Sequence, residues 1–398
     1  MKIVFLSPFG IRPKGTLIAR LLPLAKELKA FGHDIAIIAP PYTNPEDSGK
    51  VEIVDDVLIH NVALGTGHKI TATLQTSWRM LRAALEGKPD LIHLFKPKGY
   101  GGLAAMRLVF QNILGSKKTP LFVDTDDWEG RGGMNEIQPY SFLEKRMFDF
   151  QERWLPGKAL GVTVASRTLQ EQVVGRGVLR EKVLYLPNCV EPREKGDGLK
   201  VRACHQIGEK EPVVLLYTRF FEFSQERLHS VFHSIVAEKP EVRLMVVGKG
   251  RHGEEDRLLQ AARERGFIKN LLLVGWTEPE QISDYLAAAD VAIYPLDDTL
   301  VNRAKCPAKL TEIMLAGCPV VADKVGQAQE YIQHGENGLL VEPLRAEAME
   351  EAVLSLLDNP QRRCLLGENA RVTMLDGFRW RDAAKQLQEF YQSRMSVS

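Results

Sequence analysis

Short apolar segments rich in β-branched residues alternate with segments of helical periodicity along most of the chain. Helical periodicity is clear in LIARLLPLAKELKAF, for example. Continuous apolar strands that alternate with helices are typical of parallel sheets covered by helices on both faces. The pattern therefore predicts an α/β protein. The strand-like segments are KIVFL, DIAII, DLIHLF, PLFVDT, GVTVAS and KVLYLP, followed later by PVVLLYT, VRLMVVG, NLLLVG, VAIYP, PVVAD and GLLVE.

The alternation stops near the middle of the chain. Residues 189–200, CVEPREKGDGLK, lack periodicity and are rich in charge, Pro and Gly, which is typical of a linker. A length of 398 residues also favours more than one domain. We therefore expect α/β domains over residues 1–190 and 200–370. Because open α/β sheets bind ligands at the carboxyl ends of their strands, two facing domains predict an active site in the cleft between them.

Two helical segments carry further expectations. The last segment, residues 371–398, has apolar residues at helical spacing, and we expect its helix to pack back on the first domain. These apolar residues are Trp380, Ala383, Leu387 and Tyr391. Near the other end of the chain, Pro23 falls inside the first helical segment and is expected to kink it.

Composition restricts the class of protein. The chain is 44% hydrophobic and 26% charged, as in ordinary globular proteins, and its net charge of +1 does not suit nucleic-acid binding. Five cysteines without a C-x-x-C pair argue against a disulfide framework and a zinc cluster. The N-terminal apolar run is short and no stretch approaches the roughly 18 apolar residues of a membrane span, so we expect neither a signal peptide nor a transmembrane helix. We therefore expect a cytoplasmic protein.

Positive charge is concentrated between residues 60 and 120, where nine basic residues face two acidic ones, an excess of seven. Trp78, Leu81 and Leu85 interleave with two of the arginines at helical spacing. This pattern fits a peripheral helix resting on anionic lipid at the inner face of a membrane, and it also fits a solvated basic face with its apolar side in the core. The charged residues are Lys69, Arg79, Arg82, Lys88, Lys96, Lys98, Arg107, Lys117 and Lys118, with Glu86 and Asp90.

The segment RAKCPAKLTEIMLAGCPVVAD predicts a short buried helix that carries two charges. Pro307 suits the first helical position and Gly317 the position after the end, so the helix runs from about Pro307 to Leu315. Lys309 and Glu312 share one side of an otherwise apolar helix. They form either a surface salt bridge or a ligand site. The helix N-terminus and Lys309 suit a diphosphate, and Glu312 can accept hydrogen bonds from ribose hydroxyls.

Several segments, in order and suitably spaced, resemble a known family. PAKLTEIMLAGCPVVADKVGQAQEYIQHGENGLLVEP looks like the donor-nucleotide region of retaining glycosyltransferases of family 4 with the GT-B fold. LYLPNCVEP, VVLLYTR, VRLMVVGKG and SDYLAAADVAIYP resemble further segments of that family. The resemblance implies two facing Rossmann-like domains and a nucleotide-diphosphate sugar held mostly by the second. It also implies transfer of a sugar of the hexose type, with retained configuration, to a hydroxyl acceptor, without a metal or another cofactor.

The resemblance assigns the donor-binding residues. Glu312 matches the second Glu of the family's E-x(7)-E motif, which binds the ribose, whereas Ala304 replaces the first Glu. This replacement suggests that Lys309 helps to hold the diphosphate. Arg219 matches a diphosphate-binding Arg, with a plain surface Arg as the alternative. Arg227 is a candidate for the family's companion Lys. The remaining implied contacts to the donor nucleotide are Gly15, Gly248, Trp276, Leu310 and Thr311.

Asp126 completes the implied catalytic set, together with Arg219 and Lys309. In DTDDWEG it stands where the family has a His close to the reacting sugar. A carboxylate there can accept a hydrogen bond from a sugar hydroxyl or stabilise positive charge at the anomeric carbon. The alternative is an N-cap or an Asx turn. Acceptors consistent with the resemblance are a glycan, a lipid-linked sugar or a small molecule, as in polysaccharide or glycolipid biosynthesis.

Two other patterns point to different chemistry. Asp124 and Asp126 spell D-x-D, a metal-binding signature of another glycosyltransferase fold, but the double-domain pattern gives it little support and no metal is expected. Gly248, Gly250 and Gly253 form G-x-G-x-x-G between a strand and a helix, which favours an NAD-dependent oxidoreductase. Glu278 lies at the distance expected for a ribose-binding acid. A non-catalytic sugar-binding GT-B protein is a further alternative.

Overall fold

The computed structural model describes residues 1–12, 17–115 and 118–396. They divide into two compact units. Unit 1 comprises the described residues of Met1–Cys189, Ala304–Cys306 and Trp380–Ser398. Unit 2 comprises Val190–Arg303 and Pro307–Arg379. Unit 2 ends at Arg379, after the predicted boundary at residue 371, because the helix that begins at Pro360 continues to Gly377.

Unit 1 contains an eight-stranded sheet in the order β3-β4-β2-β1-β5-β6-β7-β8. All neighbouring strands are parallel except β3 and β4, which pair antiparallel. The strands are β1 Lys2–Leu6, β2 Asp34–Ala39, β3 Val51–Val54, β4 Val57–Asn61, β5 Leu91–Phe95, β6 Leu121–Thr125, β7 Gly161–Val164 and β8 Val183–Tyr185. The helices are α1 Leu22–Ala30, α2 Lys69–Glu86, α3 Gly99–Leu114, α4 Met134–Ile137, α5 Phe142–Trp154 and α6 Arg167–Gly175.

Unit 2 contains a six-stranded parallel sheet in the order β11-β10-β9-β12-β13-β14. The strands are β9 Val213–Tyr217, β10 Arg243–Val247, β11 Leu271–Gly275, β12 Val291–Tyr294, β13 Val320–Asp323 and β14 Leu339–Val341. The helices, numbered along the chain, are α7 Gly198–Cys204, α8 Gln225–Glu238, α9 Glu254–Glu264, α10 Pro279–Ala287, α11 Leu300–Ala304, α12 Ala308–Leu315, α13 Ala328–Tyr331, α14 Ala346–Leu357 and α15 Pro360–Gly377. The last helix of the chain, α16 (Trp380–Ser396), belongs to unit 1.

The predicted α/β class is confirmed, and each predicted apolar segment forms a strand. The structure also contains one feature that was not predicted, the hairpin of β3 and β4. Its edge strand exposes Val51 and Ile53, so it shows no continuous apolar run. Asp55 and Asp56 form its turn at positive φ, a conformation suited to two-residue hairpins.

The first helical segment differs from the prediction. A turn of π-helix covers Leu17–Leu21, and α1 then begins at Leu22. Pro23 therefore lies in the first turn of α1, directly after the π-helical turn that is contiguous with it. The kink expected at Pro23 stays a prediction, and the change from π-helix to α-helix lies directly before this proline.

The terminal helix packs as its periodicity predicts. Its four predicted apolar residues are all buried, and α16 lies against α1. The Tyr391 hydroxyl is 2.6 Å from Nδ1 of His93 on β5. Burial lowers the pKa of His93 to about 4, so the imidazole is neutral at physiological pH.

A buried ion pair fixes the carboxyl edge of the unit 1 sheet. Arg20 and Asp124 are almost fully buried, and Arg20 donates to both carboxylate oxygens of Asp124, at 2.7 and 3.2 Å. Arg20 also donates to Asn188 Oδ1 at 3.2 Å, and Asn188 donates to the carbonyl of Cys306 at 2.7 Å. The network joins the turn before α1, strand β6 and the 304–306 segment.

We predict that Arg20→Met lowers the free energy of unfolding by about 3–5 kcal/mol, because it leaves the Asp124 carboxylate buried without its cation. Arg12→Met is the matched control. Arg12 also contacts two carboxylates, those of Asp47 and Glu52, but its side chain is 43% exposed. Its loss should cost under about 1 kcal/mol. Urea unfolding of both variants measures the difference, and equal losses would contradict the prediction.

Candidate functional site

The carboxyl ends of β9 and β12 form the topological switch point of unit 2. The chain runs outward from β9 through β10 to β11 on one side, and from β12 through β13 to β14 on the other. Doubly wound sheets bind ligands at this point. A pocket lies here, and its lining includes Tyr217, Thr218, Glu222, Tyr294 and Lys309.

Helix α12 supplies Lys309 to this pocket. It begins at Ala308, one residue after the predicted start, because Pro307 has an extended backbone. Gly317 follows the helix at φ 76°, the left-handed conformation that favours glycine at this position. The prediction of a largely buried helix is confirmed, with Lys309 and Glu312 only half-buried.

Tyr217 links these two charges. The Lys309 Nζ lies 3.3 Å from the centroid of the Tyr217 ring, a cation–π contact, and the Tyr217 hydroxyl is hydrogen-bonded to Glu312. Desolvation raises the pKa of Glu312, while Arg193 and Lys309 oppose this shift. The alternative of a plain exposed Lys–Glu pair therefore does not describe the site. Sequence reasoning missed Tyr217 and Arg193, although the position of Tyr217 at the end of an apolar strand is a usable signal.

Arg219 lies two residues beyond Tyr217 and is exposed. Its Cζ is 5.1 Å from the centroid of the Phe221 ring. Arg227, the candidate companion cation, is instead buried and forms a bidentate pair with Asp323, at 3.0 and 2.5 Å. Arg227 is therefore committed to the fold, and its suggested role toward a ligand is wrong.

Two of the predicted donor-binding residues face the core. Leu310 is fully buried, and the buried Thr311 hydroxyl donates to the carbonyl of Ala308 at 2.8 Å. Only their backbone groups can contact a ligand. Gly15 lies outside the described residues. Ala304, which replaces the family's first Glu, is fully buried, and its carbonyl accepts a hydrogen bond from Ser166 at 2.6 Å.

Gly248 is required by a close backbone approach at the end of β10. It has φ 117°, and a Cβ atom there would lie 1.9 Å from the carbonyl oxygen of Thr218. Its amide donates to the carbonyl of Gly275 at 2.7 Å, next to Trp276. The Trp276 side chain is largely exposed. Gly248 and Trp276, both predicted to contact the donor nucleotide, therefore follow neighbouring strands, β10 and β11.

Two backbone amides of the loop that carries the G-x-G-x-x-G pattern donate hydrogen bonds to carboxylates of the protein itself. The Gly250 amide donates to Glu255 at 2.7 Å, and the His252 amide donates to Glu254 at 2.6 Å. The first turn of α9 contains three acidic residues, which repel a pyrophosphate. This geometry argues against a dinucleotide site and therefore against the oxidoreductase alternative.

Unit 1 holds a second charged cluster after β5 and β6. Lys96 Nζ lies 3.2 Å from Asp126, 2.5 Å from Asp127 and 3.3 Å from Glu129. Lys98 lies 2.8 Å from Glu129. Lys96 has φ 57°, an uncommon value for a residue with a side chain, and such strain is often found at functional sites.

Burial dominates the electrostatics of this cluster. Desolvation raises the pKa of Asp126 to about 7, although Lys96 opposes the shift. Glu152 on α5 is also buried, and desolvation together with Glu129 raises its pKa well above the ordinary value. Asp126 was predicted as a site residue, but Lys96 and Glu152 were not, because no sequence pattern indicates that these three residues lie close together in the fold.

The D-x-D pattern does not present two equivalent carboxylates. Both oxygens of Asp124 accept hydrogen bonds from Arg20, and one also accepts from Thr163 at 2.5 Å. Within residues 1–12, 17–115 and 118–396, no three His, Cys, Asp or Glu side chains are grouped to hold a metal ion.

Comparison with known families agrees with this architecture. Residues 199–373 match the family "Glycosyl transferases group 1", and residues 15–189 match the "Glycosyl transferase 4-like domain". The chain belongs to the group 1 glycosyltransferases of the GT-B fold. A D-inositol 3-phosphate glycosyltransferase of Corynebacterium aurimucosum is 29% identical over 167 residues. That match covers 41% of this chain and 38% of the relative, so the chain spans well under half of the relative's length.

Solved structures extend the likeness to the whole fold. The chain resembles sucrose-phosphate synthase of Thermosynechococcus elongatus at a TM-score of 0.78 and 20% identity, over 100% of both chains. It resembles HepE of Anabaena, solved in complex with UDP, at a TM-score of 0.72 and 20% identity, over 99% of this chain and 100% of the other. No helix of the described residues is long and apolar enough to cross a membrane.

Proposed function

We propose that this protein transfers a sugar from a nucleotide-diphosphate sugar to a hydroxyl acceptor, with retained configuration and without a metal. The observation that carries the proposal is the arrangement of Lys309, Tyr217 and Glu312 at the switch point of unit 2. A half-buried cation and a half-buried carboxylate on one helix suit a ligand that is anionic at one end and rich in hydroxyls at the other.

Each group then has a chemical role. Glu312 accepts hydrogen bonds from the ribose hydroxyls. Its raised pKa reflects desolvation, which a hydroxyl donor compensates by replacing lost hydrogen bonds. Lys309, Arg219 and the amides at the start of α12 neutralise the diphosphate. Gly248 and Trp276 lie beside the base, which Gly248 approaches through its backbone.

Transfer breaks the bond between the anomeric carbon and the diphosphate oxygen and forms a bond from the acceptor oxygen to the same carbon. The acceptor attacks from the face that the diphosphate leaves, and a diphosphate oxygen takes the acceptor's proton. Lys309 and Arg219 stabilise the charge that develops on the leaving group. The Asp126 carboxylate stabilises positive charge at the anomeric carbon.

Two observations support a nucleotide-sugar donor over the alternatives. HepE of Anabaena, which shares the fold, was solved with UDP. In this chain the rival dinucleotide loop has its amides bonded to Glu254 and Glu255. A protein that binds only a sugar needs neither a group for the ribose nor a cation for the diphosphate. Lys309 and Glu312 together therefore favour a nucleotide-sugar ligand.

Nucleotide titration tests the proposed donor site. We predict that UDP or GDP binds and that NADH does not. Glu312→Gln should weaken nucleotide binding about 10- to 100-fold, because it removes charge-assisted hydrogen bonds to the ribose. Glu342→Gln, at an exposed carboxylate of the same unit, is the control. Isothermal titration calorimetry measures both, and tight NADH binding or unchanged affinity in Glu312→Gln would reject the site.

Lys309→Ala tests the role of Lys309 at the leaving group. We expect the rate of transfer from a panel of sugar nucleotides to fall about 10²- to 10³-fold, with little change in thermal stability, because one preorganised positive charge is lost. Lys324→Ala removes an exposed lysine of the same unit and should leave the rate unchanged. Wild-type turnover in Lys309→Ala would refute this role.

The pH profile tests Asp126. With a pKa of about 7, its carboxyl group is neutral below that pH and charged above it. Because only the charged form stabilises a cationic centre, the wild-type rate should fall as pH drops through about 7. Asp126→Asn should be about 10²-fold slower and lack this inflection. Asp55→Asn, on the exposed hairpin turn, should keep it, and an unchanged profile in Asp126→Asn would exclude the assignment.

A further inference from the structure

Helix α5 has its apolar side outward. A surface helix normally buries its apolar stripe, but the buried residues of α5 are Gln151 and Glu152. Phe142 and Leu143 are 71% and 72% exposed. Every exposed position on α5 is apolar or an arginine, and these positions are Phe142, Leu143, Arg146, Met147, Phe150 and Arg153.

The inward side of α5 is held there by specific contacts. The Gln151 side chain accepts a hydrogen bond from the amide of Gly99 at 2.9 Å and donates to its carbonyl at 3.3 Å, at the start of α3. A capping box at Ser141 and Glu144 fixes the first turn. The helix therefore cannot roll to bury its apolar side without breaking these contacts.

The apolar surface of α5 continues onto α3 and α2. Phe110 of α3 stacks on Trp154, which stacks on Phe150, with ring centroids 5.8 Å apart in both pairs. Lys69 at the start of α2 forms an ion pair with Glu144 at 2.9 Å. We call the following exposed residues the apolar face: Ile70, Leu74 and Trp78 of α2, Phe110, Ile113 and Leu114 of α3, and Phe142, Leu143, Met147 and Phe150 of α5.

This face differs from the surface that periodicity predicted. Leu81 lies in the core and Leu85 is half-buried, so Trp78 is the one exposed residue of the predicted stripe of Trp78, Leu81 and Leu85. The exposed stripe of α2 lies at Ile70, Leu74 and Trp78, at intervals of four residues. The region between residues 60 and 120 therefore supplies only part of the face.

The charge around the apolar face is predominantly positive. The exposed charged side chains of these three helices are one acid, Glu86, and five basic residues, Lys69, Arg82, Arg107, Arg146 and Arg153. Lys69 and Arg153 form ion pairs with the half-buried Glu144 and Asp149. The Cζ atoms of Arg82 and Arg146 each lie 5.6 Å from a ring of this face, Trp78 and Phe142 respectively. Cations interleaved with aromatic and aliphatic side chains are typical of helices that lie in a membrane interface.

We propose that the apolar face docks on the surface of an anionic phospholipid bilayer. The apolar side chains would enter the boundary between headgroups and acyl chains, and the arginines would contact lipid phosphates. A second copy of the chain is a poorer occupant, because a symmetric contact would bring the excess positive charge of the face against the same excess on its partner. The proposal needs no sugar nucleotide, so it stands or falls independently of the transferase activity.

Vesicle sedimentation of the full chain tests the proposal. We expect co-sedimentation with vesicles of phosphatidylcholine mixed with phosphatidylglycerol, much less with phosphatidylcholine alone, and a decrease at high salt. Leu143→Ser combined with Phe150→Ser should reduce binding at least about tenfold. Both residues are exposed, so folding should be retained, as circular dichroism can verify. The matched control is Leu199→Ser with Leu365→Ser, two exposed leucines on helices of unit 2.

The results of these experiments distinguish a lipid bilayer from a second copy of the chain as the partner of the apolar face. Binding by the wild type and the control pair, with loss in Leu143→Ser/Phe150→Ser, supports the proposal. Absence of wild-type binding to the anionic vesicles overturns it, as does equal binding by the two double variants. A wild-type dimer in light scattering that Leu143→Ser/Phe150→Ser converts to a monomer, without vesicle binding, would assign the face to a second copy and also overturn the proposal.

Discussion

The same buried ion pair occurs at equivalent places in the two units. In unit 1, Arg20 precedes the first helix and pairs with Asp124 on β6. In unit 2, Arg227 lies on the first helix after β9 and pairs with Asp323 on β13. The strand order is β1-β5-β6 in this part of the unit 1 sheet and β9-β12-β13 in the unit 2 sheet. In both sheets the strand that carries the aspartate therefore lies two positions from the first strand, on the other side of the switch point. Each pair therefore ties the helical segment that follows the first strand of its sheet to the carboxyl edge on the far side of the switch point.

This constraint explains how further charged side chains can lie beside the same sheet edges. A charge buried beside the switch point needs a partner, and a bidentate Arg–Asp pair provides both charge and hydrogen bonds. With the edge fixed in this way, Lys96 and Asp126 can occupy the loops after β5 and β6 of unit 1. Lys309 can lie on the Tyr217 ring in unit 2. The desolvation that raises the pKa values of Asp126 and Glu312 follows from the same close packing.

Periodicity predicted much of the fold, because parallel strands buried on both faces appear as continuous apolar runs. It failed for β3, whose Val51 and Ile53 face solvent. Helix α5 shows a second limit of periodicity. A helical period shows that one side is apolar, but it does not show which side faces the core. The contacts of Gln151 decide that, and they join residues far apart in the sequence.

At the candidate site, too, residue spacing predicts some features, and contacts with residues distant in the sequence decide the others. The Lys309–Glu312 spacing was visible in the sequence, but Tyr217, which connects the two, comes from another strand. The glycine pattern at residues 248–253 shows the converse. Its spacing fits a dinucleotide loop, yet the amides of Gly250 and His252 are bonded to carboxylates of the next helix. A glycine loop binds phosphate only when its amides are free and the following helix is not acidic. The acidic start of α9 was readable in the sequence, and it is this charge, rather than the glycine spacing, that distinguishes the two chemistries.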